Sequence, residues 1–330
     1  MKPSAFILIG VFTELISELG VKGLQVEEIY GLDESLMTDL EPIFGFIFLF
    51  KWDAALERHR KGELKDALED MPAGVFFASQ TVQNACATQA ILSILLNIPA
   101  TVKCVKLGND LLQFRDFCVS LPPEIRGEAI GSSDLIRNVH NSFARPELAL
   151  IEDMADRKNG AYEDPFHFIS FLPIEGQVYE FDGLQAAPIA HGPAGKRWIS
   201  RALQVIRERI ETIQSVSKND EIRFNLMAVI KDRTLQYREL IDSQVRLVCE
   251  LENSLRLNPA ASDDPRPKQI RTMLMQKREL ELKLEEEQIK MVRMKKENAL
   301  RRHNLVPFVV AILKEMVRTG RCDEFIAEEG

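Results

Sequence analysis

The 330-residue chain has no C-x-x-C pair and only five cysteines, scattered at Cys86, Cys104, Cys118, Cys249 and Cys322. An odd, dispersed set points to a reducing compartment and away from a disulfide framework or a structural zinc site. Long hydrophobic runs are also missing. The longest, residues 43–50, 5–12 and 305–313, fall well short of the roughly 20 residues that a membrane-spanning helix needs. The run at 5–12 follows Lys2 but passes directly into Thr13-Glu14 without a small-x-small cleavage site, so it reads as a strand or loop entering a first helix rather than as a signal peptide. Positive charge is in deficit: 42 Lys+Arg face 50 Asp+Glu, a net of −8. The deficit lies in residues 1–230, with 22 basic against 32 acidic residues, whereas residues 231–330 carry 20 against 18. An acidic front half argues against nucleic acid as a main ligand and permits a basic partner. No cluster of His or acidic residues has metal-ligand spacing, and no cofactor is implied. Gly195-Lys196 is not a P-loop, because Ala190 and Arg197 stand where the motif needs glycine and Ser/Thr. The expected compartments are cytoplasm and nucleus, with no membrane contact.

What is present fits a globular protein: 45% hydrophobic and 28% charged residues, in a length that suits two domains. Val11, Phe12, Leu15, Ile16 and Leu19 recur at helical spacing until Gly20. Residues 44–50 form a short apolar run that suits a strand buried on both faces. Residues 53–73 are polar and read as a loop with some helix. Residues 75–78 read as a short strand and 85–97 as a helix that Pro99 stops. Further helices are expected around 107–117 and 133–143. Residues 145–164 lack any pattern, which inside a compact domain marks either a functional loop or a wrong assignment of elements. Residues 166–172 alternate, Glu175-Gly176 supplies a turn, and 177–181 return as the second strand of a hairpin. A helix at 198–216 and a strand at 222–230 complete an α/β or α+β unit over residues 1–230. Residues 231–330 form a helical extension: two long helices, the second from about 268 to 303, around a proline-rich loop near 258–267, then an amphipathic piece at 305–317. Lys295-Lys296 and Arg301-Arg302 lie on a nearly neutral helix and mark a solvated face. Such a hairpin has little core of its own and should lean on the first domain or on another protein.

Cys86 falls in the first turn of the expected helix, where unpaired N–H groups and the helix dipole favour negative charge and can populate a thiolate. Buried filler is the commoner role of such a cysteine. A thiolate nucleophile needs a histidine and a group to orient it. His59 and His303 sit among charges, His191 precedes a turn, and His140 lies on a helix as a core or supporting group. His167 is set on a strand between Phe166 and Phe168, and the hairpin brings Asp182, fifteen residues on, towards its ring. An oxyanion would need the Cys86 N–H and a side-chain amide, for which Gln80, Gln83, Asn84 and Gln89 compete; spacing does not choose among them.

Gln80 with Asn84-Ala85-Cys86-Ala87-Thr88-Gln89-Ala90, then Phe166-His167-Phe168, then Tyr179-Glu180-Phe181-Asp182-Gly183, resembles the ubiquitin carboxyl-terminal hydrolase family of cysteine deubiquitinases. Gly10-Val11-Phe12-Thr13-Glu14-Leu15 and Val139-His140-Asn141-Ser142-Phe143-Ala144 fit the same family. The chain is most similar to its long, proteasome-associated members, which carry a C-terminal helical extension. The resemblance implies a papain-like, knotted domain with Cys86 as nucleophile, His167 as general base and acid, Asp182 as the group orienting His167, and Gln80 as oxyanion donor. It implies that residues 145–164 are the crossover loop under which the substrate tail threads. It also implies ubiquitin as partner, together with a ubiquitin receptor of the proteasome regulatory particle. Relatives usually reach that receptor with a Lys-rich tail, whereas this sequence reads Phe325-Ile326-Ala327-Glu328-Glu329-Gly330, so either the sequence is truncated there or that contact differs. A ubiquitin-binding scaffold that needs a partner to align its thiol, and a papain-like peptidase of general specificity, are the two other readings.

Overall fold

The computed structural model describes residues 5–51, 72, 74–82, 85–143, 166–195, 197–216, 224–258, 264–303 and 306–319. The expected crossover loop at 145–164, and all of the polar stretch at 53–73 except Pro72, lie outside these residues.

One antiparallel sheet organises the chain. Its strands are β1 (Leu24–Ile29), β2 (Ile43–Lys51), β3 (Phe166–Ile174), β4 (Gln177–Phe181), β5 (Ile189–Pro193) and β6 (Phe224–Lys231), in the order β1-β6-β2-β3-β4-β5. Successive side chains leave a strand on opposite faces. β2 accordingly sends Ile47 into one core and Phe46, Phe48 and Phe50 into another, and β6 sends Met227 and Val229 one way and Leu226, Ala228 and Ile230 the other. Both faces are covered, which is why residues 44–50 read as a continuous apolar run. The β3–β4 hairpin closes through Glu175 and Gly176, both at positive φ (48° and 79°), the conformation a tight two-residue turn between twisted strands demands.

The first face is covered by α1 (Ala5–Glu18), α2 (Cys86–Leu95), α3 (Asn109–Cys118), α4 (Pro123–Ser132) and α5 (Asp134–Ser142); the second is covered by α6 (Trp198–Val216). Helix α1 starts at Ala5, so the apolar run 5–12 is helical rather than strand or loop. Its stripe Ile9, Phe12, Leu15, Ile16 and Leu19 is buried, and Gly20 ends it at φ 86°, which costs glycine little. Residues 75–78 are buried but join no strand. Their backbone groups pair with side chains instead: Phe76 N–H donates to Asn97 Oδ1 (2.8 Å), Asn97 Nδ2 donates to Phe76 O (2.8 Å), and Arg126 donates to Val75 O and Phe77 O. Burial explains the apolar run, and satisfaction by side chains removes the need for a ladder.

Three helices follow the sheet: α7 (Arg233–Leu257), α8 (Arg266–Arg302) and α9 (Val306–Arg318). Asp232 caps α7 by accepting from Thr234 N–H (2.8 Å). α7 and α8 pack on each other, and α8 also lies on α1. Met294 enters the first core there, Gln25 Nε2 donates to the buried Glu287 (3.0 Å), and Asn298 Nδ2 donates to Gly10 O (2.8 Å) and Glu14 (2.5 Å). Arg302 pairs with Glu18 (2.6 Å) and stacks 3.8 Å from the Phe143 ring centroid. The long helix therefore leans on the sheet unit, as its small core requires.

Candidate active site

Cys86 is the first residue of α2 and is half-buried. The residue before it, Ala85, has no side chain able to cap the helix, so among the described residues no side chain accepts from the N–H groups of the first turn. The packing of α2 on β3 brings that turn to the start of the strand. There the His167 ring, 5% exposed, lies near enough to Cys86 for the sulfur to help raise its pKa. Its Nε2 is 2.7 Å from Asp182 Oδ1, which leaves Nδ1 as the nitrogen for sulfur. Phe50 meets the imidazole edge-on at 5.7 Å and limits its rotation. Asp182 is fully buried just beyond β4, and its Oδ1 also accepts from Leu184 N–H (3.0 Å), so the carboxylate is itself fixed. Burial alone would lower the His167 pKa. The hydrogen bonds and negative charges of Asp182 and Cys86 outweigh it and raise the pKa to about 9. At neutral pH the ring is thus an imidazolium, beside a sulfur atom at a helix N-terminus.

The amides expected to compete for the oxyanion are sorted by their partners. Gln89 is buried and its Nε2 donates to Ala78 O, so that amide is spent on the fold. Gln83 and Asn84 lie outside the described residues. Gln80 lines the cleft with Cys86, and its own N–H donates to Gly183 O (2.7 Å). Gly183 is needed for this approach: a Cβ there would stand 2.4 Å from Gln89 Nε2 and 2.9 Å from Gln80 Cβ. Of the residues singled out from the sequence and its resemblance, Cys86 and Gln80 line one cleft, His167 lies beside Cys86, and Asp182 is bonded to His167. The sequence did not mark Phe168, Phe181 or Ser93, which line the same cleft; only the aromatic neighbours of His167 and Asp182 hinted at its apolar wall.

Among the remaining histidines, His140 bonds through Nδ1 to Thr88 Oγ1 (2.8 Å), one position beyond Ala87, and burial lowers its pKa. It supports the nucleophile helix without reaching the sulfur. His191 bonds to the buried Glu180 (2.9 Å), which Arg209 also grips (2.8 Å), and so belongs to a structural ion network. His303 is exposed past the end of α8, and His59 lies outside the described residues. Among the described residues no group of His, Cys, Asp and Glu could hold a metal ion, and no helix is long and apolar enough to cross a membrane.

Thiol, imidazole and carboxylate in series form the arrangement for nucleophilic acyl transfer. Residues 9–211 match the family described as "Ubiquitin carboxyl-terminal hydrolase, family 1", and residues 278–321 match a second one described as "Ubiquitin carboxyl-terminal hydrolases". The chain belongs to the ubiquitin carboxyl-terminal hydrolases. It is a cysteine-type deubiquitinating enzyme of that family, with the family's mixed helix-and-sheet fold and a helical extension. It is 38% identical over 318 residues to ubiquitin carboxyl-terminal hydrolase ubh-4 of Caenorhabditis elegans, across 94% of this chain and 86% of that one. It is 39% identical over 333 residues to ubiquitin carboxyl-terminal hydrolase isozyme L5 of Dictyostelium discoideum, across 96% and 92%. The crystal structure of Trichinella spiralis UCH37 bound to ubiquitin vinyl methyl ester aligns with a TM-score of 0.55 at 35% identity, covering 82% of this hydrolase and 96% of that chain.

Proposed function

We propose that this hydrolase cleaves the bond after the C-terminal glycine of ubiquitin through Cys86, His167, Asp182 and Gln80. The observation that carries the reading is the buried His167, bonded through Nε2 to Asp182 Oδ1 and turned with its other nitrogen free beside Cys86 at the start of its helix. Cys86 sulfur attacks the glycine carbonyl, and negative charge moves to its oxygen. The Cys86 N–H and the Gln80 side-chain amide receive that charge. His167 then donates its proton to the departing amine, leaving a thioester. The neutral ring takes a proton from water, which attacks the thioester and releases the carboxylate, and the imidazolium is restored. Asp182 holds the ring in place throughout. The acidic balance of residues 1–230 suits the basic tail of ubiquitin.

An imidazole already fixed by Asp182 on the Cys86 side of the sheet supports an enzyme over a scaffold that needs a partner to align its thiol. The test is Cys86→Ala with a fluorogenic ubiquitin C-terminal amide and an electrophilic ubiquitin probe. Loss of turnover and of the probe adduct, with ubiquitin still bound, is the expected result; retained turnover rules out the assigned nucleophile.

Association with a ubiquitin receptor of the proteasome regulatory particle, in cytoplasm and nucleus, is the finer part of the proposal. Its support is the likeness to long relatives through the extension, including the match at residues 278–321. Co-sedimentation of the full chain with purified regulatory particles tests it; its absence at micromolar concentration counts against it.

A further inference from the structure

Residues 75–79 lead directly into Gln80, are buried over 75–78, and belong to no strand, so something other than the sheet must hold them. Helix α4 does. Arg126 on that helix is 6% exposed. Its hydrogen bonds among the described residues all go to backbone carbonyls: from Nη1 to Val75 O (3.0 Å) and Phe77 O (3.2 Å), from Nη2 to Val119 O (2.9 Å), and from Nε to Leu121 O (2.8 Å). A buried cation is costly unless every donor finds a partner, and the planar fork of arginine is the side chain that can serve four carbonyls at once. One end of the fork grips the turn before α4 and the other grips the segment before Gln80. The same turn of helix adds two contacts. Ser79 N–H donates to Pro123 O (2.9 Å), and a Cβ on Gly127 would stand only 2.1 Å from Ser79 O. α4 therefore holds Val75, Phe77 and Ser79, alternate residues of the segment up to Gln80, while Asn97 and Gln89 hold Phe76 and Ala78 and Gly183 O holds Gln80 from the other side.

We propose that Arg126, with Gly127 beside it, is a positioning residue for catalysis: it places the Gln80 amide against the Cys86 cleft without touching substrate. The inference rests on Gln80 as oxyanion donor. It assigns to a helix outside the catalytic trio the task of setting one of the two donors on which the tetrahedral step depends.

The experiment compares two reactions of the full chain. One is hydrolysis of a fluorogenic ubiquitin C-terminal amide, which passes through an oxyanion. The other is alkylation of Cys86 by ubiquitin bearing a C-terminal 2-bromoethylamide, in which sulfur displaces bromide at a saturated carbon and no oxyanion forms. Gln80→Ala should lower kcat about 100-fold and leave alkylation unchanged. Arg126→Lys, which keeps the charge but not the fork, and Gly127→Ala, which presses on Ser79 without touching the charge, should each lower kcat roughly 10-fold or more at similar KM and similar alkylation rate. A split between the two reactions in either variant supports the assignment. Its absence from both, whether hydrolysis is untouched or falls in parallel with alkylation, overturns it. Full hydrolytic activity of Gln80→Ala removes the oxyanion role of Gln80 and the inference with it, whereas an impaired Gln80→Ala beside two variants without a split removes the inference alone.

Discussion

At the scale of single residues, the protonation of His167 links chemistry to stability. Its folded pKa of about 9 lies above the ordinary histidine value of 6.5. The folded state therefore binds the proton more tightly. The resulting stabilisation, about 3 kcal/mol, is fully present below pH 6.5, declines as pH rises through the interval to 9, and is gone above it. The same proton is the one handed to the leaving amine, so kcat/KM should fall as pH rises through about 9. Asp182→Asn removes the charge that helps raise the pKa and leaves only a neutral, weaker acceptor, so the alkaline limb should move to lower pH and overall activity should drop. A pH–rate profile whose limb stays in place in that variant would show that another group controls it. Cys86, His167 and Asp182 were readable from the sequence because each carries a local signal: a helix start, an aromatic-flanked strand position, and a hairpin end. Spacing alone does not separate Gln80 from Gln89; the family resemblance points to Gln80, and in the fold Gln89 is bonded to Ala78 O.

At the scale of elements, what local patterning captured and what it missed have physical causes. The β3–β4 hairpin was legible because alternation and the Glu175-Gly176 turn agree. β1 was missed because Gln25, Glu27 and Glu28 interrupt its apolar pattern, and the groups that make them tolerable come from far along the chain. Lys290 pairs with Glu27, Glu287 accepts from Gln25, and Asn225 donates to Glu28. α4 was missed because Gly127 and Gly131 lower its helix propensity, yet both stand where a Cβ would collide with Ser79 or Val82. Residues 75–78 looked like a strand because burial selects the same apolar residues whether or not a ladder forms. The docking of α8 on α1 yields a test at this scale. Asn298 is 2% exposed and supplies donors to Gly10 O and Glu14. Asn298→Ala leaves those acceptors short of partners and should destabilise the chain by about 1–3 kcal/mol, read as a lower chemical unfolding midpoint. An unchanged midpoint would mean that α8 does not hold α1 in solution.

For the molecule as a whole, charge is distributed unequally between the region that holds the site and the helices that follow. The excess of acidic residues in 1–230 should speed encounter with a basic ubiquitin tail, and salt should screen it. Raising ionic strength should therefore lower kcat/KM for a ubiquitin substrate mainly through KM, while kcat changes little. Equal kcat/KM at low and high salt would exclude long-range steering.

Sulfur and imidazole arrive on separate layers, the one on a helix and the other on the sheet beneath it, and no covalent or ladder connection sets the gap between them. The site is thus a gauge of interlayer spacing. A slip of about 1 Å that leaves every strand paired is enough to cost a hydrolase of this kind a hundredfold in rate. Under gentle heating or dilute urea, turnover should therefore fade before circular dichroism registers any melting.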